Sequence, residues 1–171
     1  RPAARPAARR RAWGLAAAAG LLLAGLYLGM FVVGDAGRPA GEQLAALSDV
    51  PEHYEGLRLR GGDVGMTPVT AAYDAALRAV HAARTGRIGP GPRYDAVALQ
   101  EARQRLLHVA RMDTPGGAIG LEARFAAGRV ALHLGDYAEA RAAFEAVVER
   151  EGPSAPDAAA LLAEMDRRDL R

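Results

Sequence analysis

Residues Leu121–Pro153, LEARFAAGRVALHLGDYAEARAAFEAVVEREGP, decide how the chain folds. Up to Leu134 the stretch is Ala-rich and free of proline, and its apolar residues recur at helical spacing. Gly135 stops that run, because glycine enters the left-handed conformation at a helix C-terminus without steric cost. Asp136-Tyr137-Ala138-Glu139 has the spacing of a capping box and opens another helix, which runs to Glu151 and ends at Gly152-Pro153. Two helices joined by so short a turn must lie side by side and antiparallel. Small Gly128 and Ala140 predict a close approach within the pair, with Phe144 and Val147 filling the space against the next element.

Reading outward, the same punctuation marks further helices. Thr67-Pro68 is an N-cap followed by proline at the first helical position, where a missing N–H costs nothing. Val69, Tyr73, Ala76, Leu77 and Val80 follow at helical spacing until Gly86, and the run Gly86–Pro92 breaks the pattern. A helix from about Tyr94 to Met112 should bury Val97, Ala102, Leu106, Val109 and Ala110, and Thr114-Pro115-Gly116-Gly117 ends it. Ala118–Leu134 is the next. Ser154-Ala155-Pro156-Asp157 starts a last helix with Leu161, Leu162 and Met165 inward and a polar, solvated tail at Asp166–Asp169. Residues 67–171 therefore read as an all-α domain of about five helices.

The domain contains an internal repeat. At an offset of 38, Glu101-Ala102-Arg103, Leu106, Val109 and Pro115 fall on Glu139-Ala140-Arg141, Phe144, Val147 and Pro153. Composition readily supplies the Ala and Arg matches, but not a terminal proline in register with a buried face. Here the sequence resembles the tetratricopeptide repeat. Gly128 matches the family's small residue in its first helix, Gly135 and Tyr137 its turn, Ala140 its small residue in the second helix, Phe144 its bulky one, and Pro153, displaced by one position, its closing proline. The family period is ~34 residues, and Gly116–Gly120 would absorb the excess. Arg124 stands where a large apolar residue is usual and Ala131 where an aromatic is usual; in the earlier unit only the second helix matches. The resemblance implies a stack of helical hairpins, an α-solenoid, whose concave face receives an extended partner segment. The clamp of asparagine and basic residues that grips chaperone tails cannot be present in its usual form, since the chain has no Asn or Lys. Arg124 and Arg129 are the candidate contacts for an acidic partner.

Upstream, Trp13–Val33 is 21 residues without a charge. At ~1.5 Å of rise per residue it is long enough to cross a bilayer. Five arginines precede it, and all 20 acids follow it with the remaining arginines. The pI of 9.4 therefore marks one end of the chain and argues against a nucleic-acid partner. Arginine bias predicts residues 1–12 as a cytoplasmic tail, 13–33 as a transmembrane helix and everything beyond as periplasmic. Gly20, Ala24, Gly25 and Gly29 fall at small-xxx-small spacing and would let another membrane helix approach. Residues 34–66 read as a membrane-proximal linker with a single helical turn at Gln43–Leu47. Tyr54, Leu57 and Leu59 alternate with charged residues in an extended stretch suited to partner contact.

The absence of cysteine excludes disulfides, thiol catalysis and thiolate metal sites. His53, His81, His108 and His133 never fall at i, i+3 or i, i+4, so no helix offers a two-histidine metal face. Gly61–Gly65 and Gly116–Gly120 lack the lysine of a phosphate loop and read as turns. No catalytic, metal or cofactor residue is expected, and no small-molecule substrate. The expectation is a single-pass protein of a bacterial inner membrane that binds lipid and other membrane-protein subunits, as an accessory or scaffolding part of a larger complex. A tethered peptide-binding or chaperone-like repeat module acting alone is the alternative.

Overall fold

The computed structural model describes residues 40–47, 49–51, 67–85 and 93–170. These lie within one compact unit, Pro39–Arg171. Trp13–Val33, with Gly20, Ala24, Gly25 and Gly29, and the stretch holding Tyr54, Leu57 and Leu59 lie outside the described residues. Among the described residues no helix is long and apolar enough to cross a membrane.

Six helices follow one another: α1 (Ala40–Leu47), α2 (Pro68–Ala82), α3 (Ala96–Met112), α4 (Ala118–Leu134), α5 (Tyr137–Glu149) and α6 (Ala155–Arg167). The last five match the sequence reading in order and type. Consecutive members of that series pack on each other, and α4 also touches α2. The first is a full eight-residue helix where a single turn was expected, and it packs on α4 and α6. Its reason is tertiary: Leu44 and Ala45 are buried, and a helix this short has no stability of its own in water.

The starts and stops have identifiable chemistry. Thr67 Oγ1 accepts the Thr70 N–H at 3.2 Å, with Pro68 at the first helical position. Asp95 Oδ1 accepts the Ala98 N–H at 2.8 Å. At α4 the N-cap is Gly117, which has no side chain to offer. Asp113, at the end of α3, supplies the cap instead, its carboxylate accepting the Gly120 N–H at 2.7 Å. A carboxylate of the chain itself thus occupies the α4 N-terminus; of the expected turn at Gly116–Gly120 only the start is one, with Gly116 at φ +82°, and Ala118–Gly120 already belong to α4.

The capping box expected at Asp136–Glu139 does not form: Asp136 makes no side-chain cap. Its carboxylate accepts from Arg103 Nη1 at 2.9 Å. A buried guanidinium competes for that carboxylate more strongly than a solvent-facing N–H does. Gly152 likewise differs from expectation. The left-handed residue after α5 is Glu151, at φ +50°. Gly152 is glycine because a Cβ there would stand 3.2 Å from both Leu121 and Val147.

Two apolar clusters share α4. The first joins Val50, Tyr73, Leu77 and Val80 to Leu99, Leu106, Val109 and Val130. The second joins Leu44 and Ala45 to Phe125, Leu132, Phe144, Val147, Ala158 and Met165. That position explains why α4 is apolar on nearly every side, as a helix enclosed by neighbours must be. On α3 the expectation for Val97 fails, because Val97 is 71% exposed. The buried residues are Leu99, Ala102, Arg103, Leu106 and Val109. At ~100° per residue Val97 sits about 160° from Leu99, on the opposite side of the helix.

Candidate partner-binding face

The helices that open each hairpin, α2 and α4, lie together, and α1 bridges from α4 to α6. We call the side they share the inner face. Along α4, Phe125, Arg129 and Leu132 lie within about 60° of one another and form its stripe. Phe125 is held by Phe144 of α5, ring centroids 5.6 Å apart and tilted 55°. Arg129 lies over the Phe125 ring with its guanidinium carbon 5.5 Å from the centroid, a cation–π contact. Burial draws the Arg129 pKa below the usual arginine value, while the negative charges of Asp49, Asp157 and Glu122, and Tyr73, work the other way. The guanidinium remains charged at any physiological pH.

Residues 40–47 and 49–50 run along this face. Arg168 Nη1 at the end of α6 donates to the Ala40 carbonyl at 2.9 Å. Leu44 and Ala45 enter the second cluster and Val50 the first. His81 Nε2 of α2 donates to the Val50 carbonyl at 2.7 Å. Arg84 pairs with Asp49, and its Nε donates to the Tyr94 hydroxyl at 3.3 Å. Burial works against the charge on Arg84, but hydrogen bonds and charge from Tyr94 and Asp49 outweigh it and raise the pKa. Tyr94 in turn packs on His133, ring centroids 4.8 Å apart.

The repeat signature residues converge on the α4–α5 pair. A Cβ on Gly128 would lie 2.6 Å from Phe144 Cε1, closer than real contacts allow, so glycine there permits the close approach. Gly135 is at φ +79°. The Asp136 N–H reaches back to the Ala131 carbonyl at 2.9 Å and that of Gly135 to Leu132 at 3.2 Å, a Schellman motif. Ala140 and Phe144 are fully buried; Tyr137 is half-buried beside the second cluster. Pro153 is exposed. Arg124 and Arg129 do not act together: five positions apart on one helix, they point about 140° from each other.

Among the described residues no group of three or more His, Asp and Glu is placed to hold a metal ion. Sequence reasoning missed Leu44, Asp49 and Val50 as parts of the face. The available signal was the apolar run around Leu44 within an otherwise polar, glycine-rich stretch.

In comparison with known families, residues 94–156 and, in an overlapping second match, 125–165 fit the family model described as tetratricopeptide repeat. Together the matches cover α3 to most of α6 and leave α1 and α2 outside. No curated protein and no solved structure matches the chain.

Proposed function

We propose that this chain is a non-catalytic accessory or scaffolding subunit of a larger bacterial inner-membrane complex, of the translocation or the respiratory or photosynthetic energy-converting kind. In this reading Trp13–Val33 fastens it to the bilayer, residues 1–12 stay in the cytoplasm and the helical repeat docks other subunits in the periplasm. The observation that carries it is the repeat match over α3–α6 downstream of an uncharged stretch of 21 residues preceded by five arginines. Repeats of this family are protein–protein interaction modules. The two units here fall short of the about three that such arrays usually need for stability, and docking on a partner compensates. In the alternative, a tethered module that binds peptides by itself, residues 40–47 and 49–50 have to leave the inner face before a peptide enters it.

The test is solubilisation of membranes in mild detergent, with the chain followed by size and its companions identified by mass spectrometry. The subunit reading expects migration in a large assembly. A monomer or homodimer in detergent, or a chain recovered without membranes, contradicts it. A C-terminal reporter active only in the periplasm checks the orientation.

A further inference from the structure

We propose that residues 40–50 are an intramolecular ligand that closes the inner face, and that what opens it is a segment of the same chemistry: a short helix presenting a leucine, with a carboxylate five residues later. This rests on reading the repeat as an interaction module and names the partner that its inner face accepts. The segment is held as a bound peptide is held. Its ends are gripped through backbone carbonyls, Ala40 by Arg168 and Val50 by His81. Its specificity lies in few side chains: Leu44 and Ala45 in one apolar seat, Val50 in another, and the Asp49 carboxylate at Arg84. The negative charge of Asp49, with Tyr73, Asp157 and Glu122, also works against the desolvation of Arg129.

Two features make the contact releasable. The Arg84–Asp49 pair is solvent-exposed, with side-chain accessibilities of 32% and 61%, and exposed pairs contribute little. The seats are built by other elements: α2, α3 and α4 supply the first cluster, and α4, α5 and α6 the second. Covalent attachment to the same chain raises the segment's effective concentration at the face. A free competitor is thereby disadvantaged by the fraction of time the face stands open.

The probe is a fluorescein-labelled synthetic peptide of residues 39–51, added to the full chain in detergent micelles. It should bind a Leu44→Asp chain at least about ten-fold more tightly than the wild-type chain, and the same peptide with arginine in place of Asp49 should lose that gain. Equal affinity for both chains, or no binding to a Leu44→Asp chain that keeps its helicity and cooperative melt, overturns the proposal. Because Leu44→Asp can also unfold the domain, a second measurement leaves the seat intact. Gly61-Gly62 is replaced by a protease recognition sequence and the full chain is cut there. The two pieces should co-elute, and excess probe peptide should part them. Spontaneous separation, or co-elution that no excess of peptide disturbs, overturns the proposal. Neither measurement involves the larger complex, so a failure here is distinct from a failure of the subunit reading, which falls on the detergent sizing alone.

Discussion

Hairpin α4–α5 turns on Gly135-Asp136, and its helices meet across Gly128, where even one added carbon would collide with the Phe144 ring. Hairpin α2–α3 contains no glycine in either helix. Its helices are brought into register by their connection: the Thr85 N–H donates to the Arg93 carbonyl and that of Asp95 to Ala83, both at 2.8 Å, around an antiparallel bridge between Arg84 and Tyr94. Leu106, at the register of Phe144, fills the corresponding space. One pair is thus set by a missing side chain and the other by a strapped loop. Only the first device writes small and large residues at fixed spacing, and the family match accordingly begins at residue 94, past α2.

The largest effect should come from Phe144→Ala. Its ring is fully buried, and truncation should cost about 3–5 kcal/mol, measured as the shift in urea midpoint followed by circular dichroism. Leu106→Ala, equally buried, should cost about 2–5 kcal/mol. A Leu106 cost below about 1 kcal/mol would break the equivalence of the two positions. Next, Gly128→Ala should destabilise by about 1–3 kcal/mol through overpacking, even though alanine is the better helix former. Adding Phe144→Leu should then cost less than it does alone, with a favourable coupling of at least about 0.5 kcal/mol; strict additivity would mean the approach at Gly128 is not what sets the pair.

The ion pair that links the two hairpins separates them in a different way. Asp136→Asn leaves the Arg103 guanidinium, its side chain 10% exposed, without its carboxylate and should cost about 1–3 kcal/mol. Arg103→Met keeps the packing and should cost less, reversing the order expected if Asp136 acted as a helix cap. The smallest effects concern the stops. Gly135→Ala should cost about 1–2 kcal/mol at φ +79°. Glu151→Gly, at φ +50°, should gain up to about 1 kcal/mol. Thermal melts resolve both signs.

Much of this was legible from Thr67 onward because caps, prolines and glycines act locally. Thr67-Pro68, Gly135 and the break near Thr114 mark helix ends through their own backbones. Gly128 and Phe144 were legible as a pair because the small-against-large pattern recurs at hairpin spacing. Asp136 was misread because its carboxylate answers to Arg103, 33 positions away. Val97 was misread because apolar character was weighed above its angle on the helix. The inner face was the least legible part. Leu44 and Val50 enter seats built from α2 to α6, and nothing within a window of ten residues around them records those partners.

The grip of Arg168 on the Ala40 carbonyl joins positions 128 apart in the chain, and this has a consequence for the order of assembly. Neighbouring hairpins close short loops and can form early; a contact of such long range carries the largest entropy of closure. During synthesis α1 precedes every other helix described here, yet its seat includes Met165 of α6 and cannot exist until that helix has emerged. The earliest of these described helices to be made is therefore the last to find its place.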